Sequence, residues 1–472
     1  MSSNHSSLFE EKLPKNTKFA FGIGQTVHVI LSNVAFAAMT FYYNVKLGLS
    51  EEFIGLAWLI FAFWNSINDP LFGFIQDRTK SKWGRRIPYI RFGAPVYGIL
   101  FILVWFPLVD ISNELALFVY LLFILFTFDS IYTIVGLIYY SLPAEMAISS
   151  KARANLMIYG SIFSALGFLI SLILPVLLLT GNESTSVDPI FLISMVIVGI
   201  VCAVVLFICS YYLKENEYTQ IEEALGMVDS LKETFKNKPF LIFEVSIFSF
   251  ILAQTILTTA IFYYIDYVLE LGGILALLPI LVFFAMVFAF TYSYSKLVAK
   301  YGLKKTYIFS LILSGLGFII GFLIGRTLLT AIIFFVIIGI GFSGIFLTQQ
   351  AVFAETIDYD EILTTKRRET SYSGVNALIT KPAISIANFL FLLTISSYGF
   401  QRASQTQTEA AQLGIMVGFT ILPAIFILIS LIAIKFFPLD GPKWNDQKLE
   451  LKKIHDEKER AYLAYLKEQG AI

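Results

Sequence analysis

The chain has 472 residues, of which 57% are hydrophobic and only 14% charged, against roughly 25% charged residues in a soluble protein. No water-soluble fold of this size hides so much apolar surface, and a mean hydropathy of +0.75 makes the lipid bilayer the expected solvent. The 34 basic and 34 acidic residues balance to a net charge of +0, which gives nucleic-acid binding no support.

The opening stretch, MSSNHSSLFEEKLPKNTK (1–18), is polar and acidic, unlike a cleaved signal peptide, and is expected to be a cytoplasmic segment. Twelve apolar runs follow, each near the roughly 20 residues a helix needs to cross the hydrocarbon. The first six are predicted at about 19–43, 52–76, 88–109, 114–141, 154–180 and 189–213. The other six are predicted at about 239–265, 272–298, 304–325, 328–354, 371–397 and 411–436. Runs this long and continuously apolar are not the alternating strands of a barrel. The reading is an all-α polytopic membrane protein with a six-helix bundle over 19–213, a polar cytoplasmic linker over 214–238 and a second bundle over 239–436. The tail, 437–472, carries spaced apolar residues among charges and reads as an amphipathic cytoplasmic helix against the body or the membrane surface. Cys202 and Cys209 share one run, seven apart. That spacing suits one helix face and not a strain-free disulfide.

Basic residues set the orientation. On the side away from the termini the count is Lys46, Arg326 and Arg402, and Lys381 lies inside a run. The remaining 34 − 3 − 1 = 30 lie on the side of the termini. Lysine and arginine stay cytoplasmic, so both termini are expected inside, and the asymmetry supports twelve crossings.

The halves echo each other. Gly84-Arg85-Arg86 follows the second run, and Gly302 with Lys304-Lys305 follows the eighth; Ala-Glu at Glu145 and at Glu355 each precede a basic cluster. The offsets, 302 − 84 = 218 and 355 − 145 = 210, are nearly equal. Two repeated halves joined by a polar linker describe a transporter whose halves rock about a midplane site. The loop Gly73-x-x-x-Asp77-Arg78 through Gly84-Arg85-Arg86 resembles the loop signature of the major facilitator superfamily, with slightly longer spacing. An expected cytoplasmic gate follows, with Asp77, Arg78, Arg85, Arg86, Glu145, Arg153, Glu355 and Arg367 holding the halves together in one state.

Charges within spans are costly and are functional candidates by default. Asn65 and Asp69, four apart, share a face of the second run, and Asn68 adjoins them. With a hydroxyl from another helix they make an oxygen-rich site for a hard cation, or a carboxyl that carries a proton. Lys381 lies near the middle of the eleventh run and needs a partner: Asp69, Asp129 or the solute. Asp129, Thr133 and Gly136 share a face of the fourth run with nearby Tyr132, Tyr139 and Tyr140, a setting that suits sugars and amphipathic ligands. His28 reads as a packing residue, and Glu244 as a carboxylate favoured near a helix start.

WNSINDPLFGFI (64–75), SKWGRRIPYIRFG (81–93), YTIVGLIYYSLPAEM (132–146) and TIDYDEILTTKRRETSYSGVNALITKPAISIANF (356–389) together resemble the glycoside–pentoside–hexuronide:cation symporters, the melibiose permease group. The resemblance covers most of the chain. It implies the major facilitator fold and a coupling site at Asp69, Asn68 and Thr133, with Lys381 as the family's eleventh-helix lysine. Asn65 stands where the family has its first aspartate, which removes one negative charge and lowers the expected affinity for sodium. Gly136, Tyr140 and Gly160 stand where the family has its galactoside aspartate, tryptophan and arginine. The resemblance therefore implies a member without the galactoside set, with Asp129 as a candidate replacement carboxylate beside Tyr132.

The leading expectation is a secondary active symporter of a sugar, glycoside or related small solute in the plasma membrane, monomeric, coupled to sodium or protons at Asp69. An uncoupled facilitator and a lysolipid-type transporter are the alternatives within the fold, and a non-transporting receptor is the alternative outside it. Neither a phosphate-binding loop nor a His/Cys metal spacing is present, so no cofactor and no enzymatic activity are expected.

Overall fold

A chain crossing hydrocarbon finds no water for its N–H and C=O groups and must satisfy them within each segment, so the apolar runs wind into helices. The structure is a computed structural model that describes residues 13–147, 150–181, 187–215, 234–364, 368–402, 404–451 and 453. In the first half the helices are α1 (Lys15–Phe41, continued by a π-turn over Tyr42–Lys46), α2 (Glu51–Asp77), α3 (Ile87–Trp105), α4 (Glu114–Met146), α5 (Ser150–Leu179) and α6 (Pro189–Cys209). The second half comprises α7 (Lys238–Tyr267), α8 (Ile274–Tyr301), α9 (Leu303–Ile324) and α10 (Leu328–Thr364), then α11 in two pieces, Glu369–Thr380 and Pro382–Ser397. Helix α12 runs from Glu409–Met416 through a π-turn at Val417–Ile421 into Leu422–Lys435.

Eleven of these helices are long and apolar enough to cross a membrane. Helix α2 is the exception, diluted by Glu51, Glu52, Asn65, Asn68 and Asp69; its 27 residues nevertheless pack between α4 and α11. Twelve helices in two bundles of six is the expected architecture. Helices α4, α5 and α10 reach further toward the terminal side than hydropathy alone suggests, to Met146, from Ser150 and to Thr364. In the first bundle α1 packs on α5 and α6, and α3 on α4 and α6. In the second, α10 packs on α8 and α9, and α12 on α7 and α9. The bundles meet along α2–α11, α5–α8 and α1–α7.

On the side away from the termini the bundles are latched. The Tyr263 hydroxyl donates to Asn44 Oδ1 at 3.0 Å, and the Gly181 amide donates to Asp266 Oδ1 at 2.6 Å. Arg402 pairs with Glu114 at 2.6 Å and lies 3.8 Å from Glu51. Deeper in, Thr40 donates to Asn388 Oδ1 at 2.6 Å. Gly181, at φ +74°, and Gly272 meet backbone to backbone: a Cβ on Gly181 would stand 2.2 Å from the Gly272 Cα. On the terminal side, the Tyr140 hydroxyl and Ser373 Oγ of α11 share a hydrogen bond of 2.8 Å.

The described part of the tail is helical over 442–450 and returns to the second bundle. Trp444 is buried against it, and Lys448 pairs with Glu355 at 2.7 Å. Lys304 Nζ donates to the Phe437 carbonyl at 2.7 Å. Cys202 and Cys209 are buried free thiols.

Candidate functional site

Two prolines shape the site. Pro70 follows Asp69 inside α2, and Pro382 follows Lys381 in α11. A proline has no N–H to give the carbonyl four residues back, so both helices are loosened beside their charged residue. In α11 Lys381 keeps helical angles, φ −59° and ψ −40°, and its N–H still bonds the Ala377 carbonyl at 3.0 Å, so the proline weakens the helix there without ending it. The Lys381 carbonyl accepts from Asn65 Nδ2 at 3.2 Å, which ties that turn to α2 across the bundle interface.

The Lys381 ammonium uses three donors. It forms an ion pair with Asp69 Oδ1, and it donates to Asn68 Oδ1 at 3.2 Å and to Thr133 Oγ1 at 3.1 Å. Asn68 Nδ2 in turn donates to Thr133 Oγ1 at 3.1 Å and to Asp129 Oδ2. Asn65, Asn68, Asp129 and Thr133 are buried; the Asp69 and Lys381 side chains keep 13% and 16% exposure. The cluster thus joins α2, α4 and α11 with two carboxyl groups and one ammonium. It is one positive charge short unless a carboxyl is protonated or a second cation arrives.

Asp129, expected among solute-cavity residues, instead belongs to this cluster. Its spacing of four from Thr133 puts both on the face of α4 that meets α2, where Asn68 takes one carboxylate oxygen. Of the three partners open to Lys381, the geometry selects Asp69. Tyr132 lies at the edge of the cluster, its ring centroid 5.8 Å from the ammonium. His28 stacks on Tyr132 at 5.1 Å and touches the Tyr97 hydroxyl at 3.5 Å, a packed histidine. Gly136 faces the His28 ring: a Cβ there would stand 3.1 Å from Nε2, so the imidazole would have to shift by a few tenths of an ångström. Tyr140 is 70% exposed, away from the cluster.

The gate residues are not brought together into one clasp between the halves. Glu145, at the end of α4, takes Arg85 at 3.2 Å and Arg86 at 3.0 Å, all within the first bundle. Glu355, at the matching place on α10, is paired by Lys448 of the tail. The repeat is therefore real in position, but its partners come from a loop in one half and from the tail in the other. Arg78 lies over the Phe74 ring at 3.7 Å, and Arg153 leans toward the Ala147 carbonyl at 3.4 Å. Arg367 and the side chain of Asp77 lie outside the described residues. Sequence reasoning missed Glu215, whose carboxylate accepts from the amides of Arg85, Arg86 and Ile87 at 2.7–2.9 Å. An acid beside the open N–H groups of a helix start is the signal that identifies it.

An apolar cavity lies between α5, α7, α8 and α10, walled by Phe168, Phe283, Phe284, Phe342 and Phe346, with Gln254 and Thr258 as its polar groups.

The profile of the family described as MFS/sugar transport protein matches residues 20–441. The chain is 24% identical to the inner membrane symporter YicJ of Escherichia coli (strain K12) over 91% of its own length and 93% of YicJ. It is 23% identical to the glucuronide carrier protein homolog of the same organism, over 91% of its length and 94% of that protein. The crystal structure of the nucleoside transporter NupG superposes with a TM-score of 0.62 at 16% identity, covering 90% of this chain and 100% of NupG, and so shares the fold. With a family match across both bundles and a charged cluster joining them, the chain belongs to the MFS/sugar transport family, within its glycoside–pentoside–hexuronide:cation symporters, as an integral-membrane secondary transporter of small solutes.

Proposed function

We propose that the protein transports a sugar, glycoside or related small solute by symport with a proton or sodium ion, through a cell membrane with both termini cytoplasmic, as a monomer. The observation that carries this reading is the Lys381–Asp69 ion pair, which spans the bundle interface inside a cluster with one positive charge too few. Asp69, Asn68 and Thr133 present the oxygens a hard cation takes, and the Lys381 ammonium bonds to all three in this conformation. A proton or sodium ion arriving at Asp69 competes with that ammonium. Displacing it weakens the α2–α11 contact that holds the halves together. The coupling ion thereby shifts the equilibrium between states, as a ligand with differential affinity must.

The experiment is solute uptake into vesicles under imposed sodium or pH gradients. Gradient-driven accumulation that Asp69→Asn abolishes while counterflow persists supports symport. Equal uptake with and without either gradient overturns it in favour of an uncoupled facilitator, the reading that Asn65 favours by leaving α2 with one carboxylate at the cluster. The phenylalanine-walled cavity favours a solute with a hydrocarbon or aromatic portion, the lysolipid-type end of the range.

A further inference from the structure

Glu244 is the buried carboxyl group that the coupling cluster leaves unused. It is the seventh residue of α7, past the first turn, so the helix start does not account for it. The residue is 2% exposed. Asn376 Nδ2 of α11 donates to its Oε1 at 2.9 Å, and Oε2 has no hydrogen-bond partner.

The charged groups on neighbouring helices are committed elsewhere. On α11, Lys381 holds Asp69, and Arg368, just before the first piece, holds Asp360 of α10 at 2.5 Å. On α10, Glu355 is paired by Lys448, and Glu361 has other partners. Lys435 is exposed at the end of α12, and on α1 Lys18 lies over Tyr159 and His28 stacks on Tyr132. Two phenols bonded to the same stretch of chain are also engaged: Tyr372 takes the Asn237 amide at 2.8 Å, and Tyr307 meets Ser246 at 3.4 Å. An ionised carboxylate within a membrane bundle, with one amide and no cation, is strongly disfavoured. A neutral carboxyl, its carbonyl oxygen accepting from Asn376 and its O–H on Oε2, fits what surrounds it.

The position gives that proton a mechanical role. The first piece of α11, Glu369–Thr380, ends at the turn weakened by Pro382 and is fastened to α7 by three successive rungs. Asn237 bonds Tyr372, Phe240 meets the Tyr372 ring edge-on at 4.9 Å, and Glu244 bonds Asn376. Residues 237, 240 and 244 share one helical face. Phe240, Ile357, Tyr372 and Val375 form a small core separate from the main one. Glu244 is the innermost rung, and Asn376 lies five residues before Lys381.

We infer that Glu244 is a second proton-binding site, whose proton is taken from and returned to the terminal side and whose occupancy keeps the first piece of α11 docked on α7. Loss of the proton leaves a charged carboxylate whose Oε2 only water can satisfy, and water reaches it only when that piece swings away. The site is separate from the coupling cluster, and its failure and that of Asp69 are told apart below.

The test is pH-dependent infrared spectroscopy of the full chain in lipid. The expected result is a protonated-carboxyl carbonyl band at neutral pH that Glu244→Gln removes, that Asn376→Ala shifts, and that Asp69→Asn leaves in place. Uptake in Glu244→Gln is expected to lose one ionisation from its pH profile while still responding to Asp69→Asn. Identical carboxyl bands in the wild type, Glu244→Gln and Asn376→Ala across the pH range in which all three are folded would overturn the assignment. A neutral-pH band lost only in Asp69→Asn would do the same. If Glu244→Gln does not fold, the Asn376→Ala shift decides alone.

Discussion

Replacing Lys381 with methionine keeps much of the side-chain volume and removes the charge. Asp69 then loses its ion-pair partner, and Asn68 and Thr133 lose the hydrogen bonds at 3.2 and 3.1 Å. Breaking one side of a buried pair costs about 3–5 kcal/mol. Two unit charges 4 Å apart at an effective dielectric of 20 interact by about 4 kcal/mol. With the Asp69 and Lys381 side chains 13% and 16% exposed, the lower end applies, about 3 kcal/mol. The double variant, Lys381→Met with Asp69→Asn, has no orphaned charge and should recover about 2 kcal/mol of that loss, since neutral replacement of a whole pair is often nearly free. Thermal unfolding of the four purified proteins closes the cycle. Lys381→Met should also be the variant most stabilised by sodium or by acid, because either supplies the missing charge by mass action. Effects that add to within about 0.5 kcal/mol would mean that the two groups do not interact, and the ion pair would lose its place in the mechanism.

Glu145→Gln removes the negative partner of both Arg85 and Arg86 and should destabilise by about 1–3 kcal/mol, read as a lower unfolding temperature; an unchanged temperature would demote the loop to surface decoration. Arg402→Ala breaks a pair with Glu114 whose members are 33% and 41% exposed, and leaves the buried Glu51, 3.8 Å from Arg402, still bonded by Asn44, so stability should change by about 1 kcal/mol or less. Its effect should appear in transport rate, and a loss of several kcal/mol would contradict the exposure argument. Thr133→Val keeps shape and removes a hydroxyl that takes both Asn68 and Lys381; gradient-driven accumulation should fall more than counterflow, and equal losses would place Thr133 in packing. Trp444→Ala empties a buried tail anchor and should cost about 3–5 kcal/mol, with faster proteolysis of the tail as the readout; unchanged protection would mean that Lys448 and Glu355 suffice.

The helices were legible because hydropathy over about 20 residues is a one-dimensional signal. Helix α2 tested that signal: its charges put it below an apolar threshold, and the side-to-side alternation of lysine and arginine was what kept it in the count. The α2 face was legible too, since Asn65, Asn68 and Asp69 follow helical spacing. What spacing could not provide was the partner. Lys381 and Asp69 are 312 residues apart, and no period within one helix says that α11 meets α2. Asp129 was assigned to the solute cavity for the same reason. The direction of its face was readable, but not which neighbour filled it. The gate failed differently. Repeat symmetry paired Glu145, at the end of α4, with Glu355, which lies inside α10 nine residues before its end, and could not say that one would take a loop in its own half and the other the tail.

The contact between Gly181 and Gly272 has a consequence for where the empty carrier rests. A methyl group added at Gly272 would stand 2.8 Å from the Gly181 Cα and so burdens the shut state described here, whereas one at Gly181, at φ +74°, is strained in any state. Every 1.4 kcal/mol of such a one-sided burden moves the occupancy of the shut state about tenfold. The hydrogen atom in place of a side chain at Gly272 therefore acts as a set-point, which fixes how much of the resting population faces each compartment before any solute or ion has bound.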